Sequence, residues 1–185
     1  KVCENIQKYG ITDEKILTAI VKKVIDAGYY DFHKSLKNFG IKDEQHLSSI
    51  AQKAINKKPA LLEFLEDFDI KNQDIRYSLA QKIAEKHGKE VSQHIERFKI
   101  SDQDKLNEIA KIALKCSGTS EFIQNYGIKD PDKFRLLTET AAKYDSKFPQ
   151  YLDKFDIQDN TLLPVLAKYS AALEKSEISE FIHKF

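Results

Sequence analysis

Apolar and polar residues recur in blocks of about thirty residues along the whole chain. An aromatic residue is followed two positions later by isoleucine six times, and the successive spacings are 30, 29, 30, 28 and 29 residues. We call each pair a junction and the segment between junctions a repeat. A fixed period in this range is typical of solenoid proteins. The junctions are Tyr9/Ile11, Phe39/Ile41, Phe68/Ile70, Phe98/Ile100, Tyr126/Ile128 and Phe155/Ile157.

A short polar residue two positions after each junction isoleucine predicts the start of a long helix. Such side chains accept hydrogen bonds from the free N–H groups of the first helical turn. The apolar residues that follow have the spacing of one helix face, as in Leu47, Ile50, Ala51 and Ala54. In the sixth repeat Pro164 lies five residues after Asp159, too far along for the first helical turn. We therefore expect that helix to begin later, with Thr161 as its cap. The predicted caps are Asp13, Asp43, Asn72, Asp102, Asp130 and Asp159.

A second, shorter helix is predicted to close each repeat and to end at the next junction. Glycine after the aromatic, at Gly10, Gly40 and Gly127, predicts a left-handed cap. Asp69, Lys99 and Asp156 take that place elsewhere, so those turns either bend differently or are strained. The expected starts of the short helices are Pro59, Gly88, Thr119, Pro149 and Ser176.

These patterns predict an all-α fold, an α-solenoid or superhelix of about six stacked helix-turn-helix repeats, as one domain over residues 1–185. A single hairpin cannot bury both faces, whereas stacked neighbours form a continuous core and a concave groove. The junction aromatics are expected in this core rather than as a platform for stacking bases. Small residues at Ala51, Ala80, Ala110 and Ala167 predict close contact between helices.

Part of the motif resembles a known family. Gly40-Ile41, Pro59 and Leu61-Leu62 are similar to the repeats of the mitochondrial transcription termination factor family, and Pro149 followed by Tyr151-Leu152 is a second partial match. That resemblance implies nucleic-acid binding. By architecture the chain also resembles tetratricopeptide-type scaffolds, although their longer period and signature residues are absent, and this implies binding of peptides or proteins.

Composition limits the function classes. The 185 residues include 30 basic and 29 acidic side chains, a net charge of +1, so there is no basic excess of the kind expected for nucleic acid. Cys3 and Cys116 form no metal or redox motif, which indicates reduced thiols. No apolar run approaches the ~20 residues of a membrane helix. We expect a cytoplasmic protein, bacterial or acting in host cytosol, and, because residue 1 is lysine, a fragment of a longer chain.

Candidate catalytic chemistry is sparse. His33, His46, His87, His94 and His183 form no ligand pair at helical spacing, and His94 is expected to be partly buried packing. No nucleophile motif or phosphate-binding glycine loop is found. Cys116 near a predicted helix start is read as an ordinary turn thiol. We therefore predict no catalytic, cofactor or metal site, and a protein that is not an enzyme.

Lysines near the ends of the long helices are the candidate partner-binding residues. Two roles are open for them. Either they complement the helix dipole and keep the surface soluble, or they align as a ridge of positive charge that binds a partner. The preferred hypothesis is a non-enzymatic protein- or peptide-binding scaffold, regulatory or a bacterial effector module. The alternative is a nucleic-acid-binding solenoid of the transcription-termination-factor type that uses this ridge; a third option places an enzyme activity in another part of a longer parent. The residues are Lys22, Lys23, Lys53, Lys82, Lys111 and Lys168.

Overall fold

The computed structural model describes residues 5–155, 157 and 162–172, and every regular element among them is helical. The all-α prediction is confirmed for these residues. The α-helices are α1 (Glu14–Asp26), α2 (Glu44–Lys57), α3 (Gln73–Gln93), α4 (Gln103–Ala113), α5 (Pro131–Tyr144) and α6 (Leu163–Ala171). They alternate with 3-10 helical segments η1 (Ile6–Tyr9), η2 (Tyr30–Phe39), η3 (Pro59–Phe68), η4 (Ile95–Phe98), η5 (Thr119–Tyr126) and η6 (Phe148–Phe155).

The helices form two compact units. Unit 1 comprises the described residues up to 83 together with 97–99, and unit 2 comprises residues 84–96 and the described residues from 100 onward. The division falls inside α3, which contributes its first part to unit 1 and the remainder to unit 2. In unit 1, α1 packs on α2 and α2 packs on η3. In unit 2, η5 packs on η6 and α5 packs on α6. Within each unit, elements of consecutive repeats are therefore in contact.

The predicted helix caps are confirmed wherever the structure describes them. The Asp13 carboxylate accepts hydrogen bonds from the backbone N–H groups of Lys15 and Ile16, two of the orphan donors of α1. The same geometry is present at Asp43, Asp102 and Asp130, and Asn72 accepts from the first turn of α3. Asp159 lies outside the described residues.

The late start of the sixth long helix is also confirmed. Helix α6 begins at Leu163, so Pro164 occupies its second position, where a missing N–H costs no intrahelical hydrogen bond. Thr161, its predicted cap, lies outside the described residues.

The short helices are 3-10 rather than α, apart from the one after Gly88. A 3-10 helix is favoured in short pieces, and non-helical angles at Phe64 and Tyr151 divide η3 and η6 into such pieces. Helix α3 is interrupted at His87, one residue before the predicted break, and then continues to Gln93. The starts at Pro59, Thr119 and Pro149 are confirmed to within one residue, and Ser176 lies outside the described residues.

The core prediction for the junction aromatics is confirmed for five of the six. Phe39, Phe68, Phe98, Tyr126 and Phe155 are buried. The prediction is wrong for Tyr9, which ends η1, the first of the described short segments, and is 65% exposed. Of the small residues, Ala51, Ala80 and Ala110 are fully buried and Ala167 is half-buried.

The residue after the junction aromatic has a left-handed backbone conformation both where it is glycine and at two positions where it is not. Gly10, Gly40 and Gly127 have positive φ, as predicted. Asp69 and Lys99 adopt the same conformation, with φ of 51° and 52°, so these two turns are strained rather than bent differently. A non-glycine residue pays roughly 1–2 kcal/mol for this geometry. Asp156 lies outside the described residues.

Candidate partner-binding face

Two of the predicted lysines come together on the outer surface of α1 and α2 in unit 1. Their neighbours Val21 and Ala54 are fully buried where the two helices pack, and this leaves Lys22 and Lys53 beside the seam. An open depression of about 460 Å³ lies there, and we call its surface the α1–α2 face. It is lined by Lys22, Ser49, Gln52, Lys53, Asn56 and Lys57.

One carboxylate lies among these cations. The Lys53 ammonium is 2.7 Å from the Asp26 carboxylate, and this hydrogen bond holds the pKa of Asp26 below its ordinary range. The charges of Lys53, Lys57 and Lys23 lower the same pKa further. Four lysines, Lys22 among them, thus share this part of unit 1 with Asp26.

The remaining predicted lysines differ in exposure. Lys82, on α3 of unit 1, is exposed; in unit 2, Lys111 on α4 is half-buried and Lys168 on α6 is exposed. At the equivalent positions, nine and ten residues after the cap, α5 has Glu139 and Thr140 instead. Glu139 pairs with Arg135, its neighbour one turn earlier on α5. The lysine pattern is therefore interrupted by an acid in the fifth repeat.

A carboxylate or amide directly after three of the caps connects one repeat to the next. The Glu14 carboxylate accepts hydrogen bonds from the backbone N–H groups of Lys42 and Asp43, and these bonds lower its pKa. Glu44 accepts in the same way from Lys71 and Asn72. In unit 2, Gln103 accepts from Lys129. Sequence reasoning missed this link, although the recurring Glu or Gln after the cap is its signal.

A second link joins the short segments of consecutive repeats. The residue before the junction aromatic reaches back to the preceding segment: Asp67 lies 2.7 Å from Nδ1 of His33, which is buried. In unit 2, Asn125 donates to the carbonyl of Ser92 at 3.0 Å. Lys154 donates likewise to the carbonyl of Glu121 at 2.9 Å. Both links hold neighbouring repeats in register.

His33 lies beside another depression of unit 1, between η2 and η3. The ring of Phe64 stacks on its imidazole with centroids 4.7 Å apart, and Phe64 is 42% exposed. The Lys58 ammonium lies 5.2 Å from the centroid of the Tyr30 ring at the same depression. These contacts place an aromatic and cationic surface next to the pair formed by buried His33 and exposed Asp67.

A buried arginine of α3 was not foreseen from the sequence. Arg76 is 8% exposed, and its guanidinium donates to the carbonyl of Ile70 and, at 3.4 Å, to that of Phe98. Glu66 lies beside it and also pairs with Lys99 at 2.9 Å. The sequence does contain the signal, because Arg76 occupies a position that is apolar in the other repeats, at Leu17, Leu47, Leu106, Phe134 and Leu163.

Unit 2 contains a buried carboxylate that the sequence analysis also missed. Asp145 has no exposed surface, and it accepts hydrogen bonds from the backbone N–H groups of Gly118, Ser120 and Lys147 at 2.7–2.9 Å. It thereby caps η5 from the turn of the following repeat. Three donors satisfy the buried carboxylate, which makes this a structural rather than a reactive group.

The other residues considered for chemistry have ordinary surroundings. His94 is half-buried, as expected. Cys116 is half-buried, and its thiol lies 3.6 Å from the carbonyl of Ala84. Cys3 and His183 lie outside the described residues. Over the described ranges, no group of three or more His, Cys, Asp or Glu side chains is placed to hold a metal ion.

Comparison with known proteins adds no relative. No protein-family model, curated protein or solved structure matches the chain. The two family resemblances therefore depend only on the residues quoted for them. Within the part of the chain that the structure describes, no helix is both long enough and apolar enough to cross a membrane.

Proposed function

We propose that this protein is a non-enzymatic repeat scaffold that binds a protein or peptide partner. The observation that carries the proposal is the α1–α2 face, where lysines, amides and a hydroxyl from two consecutive repeats line one open depression. Such a surface offers many separate donors and no enclosed cavity. That suits a chain lying across it better than it suits a small substrate, which is usually enclosed in a concave apolar pocket.

The repeat-to-repeat links support a stacked arrangement. Glu14, Glu44 and Gln103 each bind the backbone of the next repeat, so a binding side chain is held at a defined spacing from its counterpart one repeat on. Stacking of this kind, continued through all six repeats as a superhelix, is part of the proposal, as is a cytoplasmic location in a bacterium or a host cell. An extended partner would contact several repeats, each contributing a small free energy.

Selection from a displayed library of random peptides tests the proposal without a known partner. The whole chain is immobilised, and enriched peptides are resynthesised and titrated in solution. The proposal expects peptides that saturate at one site and compete with one another. Failure to enrich any peptide, together with DNA or RNA binding that weakens steeply with salt, would favour the alternative of a nucleic-acid-binding solenoid, because each neutralised phosphate releases counterions.

A further inference from the structure

The α1–α2 face is unbalanced in charge. Three of its six lining residues are the lysines Lys22, Lys53 and Lys57 and none is acidic, while the whole chain has a net charge of only +1. Asp26 is engaged by Lys53, and the positions of Lys22 and Lys57 at the depression leave their ammonium groups within reach of a ligand. The excess of positive charge on the α1–α2 face favours an anionic partner.

Uncharged polar groups run along the same depression. Ser49, Gln52 and Asn56 follow one another at turn spacing on α2 and so form a row along one side of that helix. A side-chain amide offers both a donor and an acceptor, as a peptide unit does. The Oδ1 atom of Asn56 is buried and has no hydrogen-bond partner among the described residues. This oxygen is therefore an unsatisfied acceptor in a side chain that lines the depression.

The spacing of the lysines fits an extended chain. Lys22 and Lys53 belong to neighbouring packed helices, whose axes lie about 8–10 Å apart. In an extended peptide, side chains on the same side recur every second residue, about 7 Å apart. Flexible lysine side chains bridge the difference, so alternate acidic residues of one peptide can meet lysines from two consecutive repeats.

We propose that the α1–α2 face binds an extended, acidic segment of a partner protein, whose carboxylates contact Lys22, Lys53 and Lys57 and whose backbone meets Gln52 and Asn56. This inference rests on the proposed function and specifies its partner. A nucleic-acid backbone fits less well. It carries a charge at every unit and favours an uninterrupted basic stripe, whereas Asp26 pairs with Lys53 beside this face.

Titration of short labelled peptides by fluorescence anisotropy tests the inference. The probe alternates glutamate with serine; the control peptide has glutamine for each glutamate, and an oligothymidine of equal charge represents nucleic acid. The double variant Lys22→Gln/Lys57→Gln leaves the Lys53–Asp26 pair in place. Its matched control is Lys15→Gln/Lys42→Gln, which removes the same charge from exposed sites of unit 1.

The expected result is binding of the glutamate peptide, about tenfold weaker in Lys22→Gln/Lys57→Gln, and little change in the control pair. Asp26→Asn should strengthen binding, because Asp26 then no longer competes with the peptide for Lys53. Equal weakening in both double variants, an absence of peptide binding, or tighter binding of oligothymidine overturns the inference. If the displayed library yields binders without acidic residues, the proposed function stands and this inference alone falls.

Discussion

Arg76 donates a hydrogen bond to the backbone carbonyl of Ile70 from a helix position that every other repeat fills with leucine or phenylalanine. The same guanidinium reaches the carbonyl of Phe98, at the next junction. Ile70 follows Asp69, and Phe98 precedes Lys99. Within the described part of the chain, Asp69 and Lys99 are the two non-glycine residues with positive φ. Arg76 thus supplies donors at two of the three junction turns that lack glycine.

Replacing Arg76 by leucine should destabilise the protein although it restores the repeat pattern. The variant removes the donors for buried carbonyl groups, and an unsatisfied buried acceptor costs roughly 1–3 kcal/mol. Urea denaturation followed by circular dichroism measures the change. Arg76→Lys, which keeps the charge but not the fork of donors, should fall between the wild type and Arg76→Leu. A leucine variant as stable as the wild type would refute this role.

Asp145 should be among the least replaceable side chains of unit 2. Asp145→Ala leaves the N–H groups of Gly118, Ser120 and Lys147 without their acceptor, and we expect a loss of more than about 2 kcal/mol in the free energy of unfolding. Asp145→Asn keeps one acceptor oxygen and should cost less. Asp132→Asn, an equal change of charge at an exposed position, is the control for thermal melts and should change little. Equal melting temperatures for Asp145→Asn and Asp132→Asn would contradict the assignment.

Gly88 should not tolerate alanine. A Cβ atom at this position would lie 2.4 Å from the carbonyl oxygen of Ala113, a backbone atom that cannot move aside easily. In an exposed helix interior the same change stabilises by about 1 kcal/mol, whereas overpacking costs about 1–3 kcal/mol. Denaturant midpoints for Gly88→Ala and for Lys86→Ala, an exposed neighbour, decide between these signs. A raised midpoint for Gly88→Ala would show that the two helical segments are not in close contact.

The link through Glu14 predicts a loss of stability in acid. Hydrogen bonds from the N–H groups of Asp43 and Lys42 lower the pKa of Glu14 from its ordinary value of 4.5. A lowered folded-state pKa contributes stability that is complete above pH 4.5 and is lost as the pH falls through the folded-state pKa. The pKa values of Asp26 and Asp43 are also lowered from 3.8, with the same sign.

Denaturation midpoints between pH 7 and pH 3 measure this dependence. Glu14→Gln cannot titrate, so its stability should fall less on acidification than that of the wild type. Glu63→Gln, at another exposed glutamate of unit 1, serves as the control and should retain the wild-type pH dependence. Identical pH profiles for wild type and Glu14→Gln would show that the link contributes nothing.

The sequence predicts the features that depend on residues close together within one repeat. Asp13 and its equivalents cap helices through bonds within one turn, and Gly40 requires only its own φ, so both are readable from a few residues. The type of the short helices was not predictable, because i+3 and i+4 hydrogen bonding produce nearly the same side-chain pattern over eight to ten residues. The burial of Asp145 depends on donors from η5 in the preceding repeat.

The candidate site likewise combines features that the sequence predicts with features that only the structure reveals. Helical spacing locates Lys22 and Lys53 late in their helices, but it does not reveal that Asp26 engages Lys53 or that Asn56 is left with an unpaired acceptor. The interruption at Glu139 was readable by counting from the cap in each repeat. Arg76 was likewise recognisable, because it is the one charged residue at a helix position that is apolar in the other five repeats. Differences between aligned repeats are therefore informative in addition to the motif that they share.

Deletion of one complete repeat, Phe68 to Arg97, tests most directly whether consecutive repeats stabilise one another as interchangeable modules. The deletion joins Asp67 to Phe98 and restores a junction with the period intact. Circular dichroism during heating should show that the shortened protein is still helical and still unfolds in one sigmoidal transition. Removal of half a repeat, Phe68 to Lys82, is the control and should abolish cooperative unfolding. Loss of the helical signal on deletion of the whole repeat would contradict modular stacking.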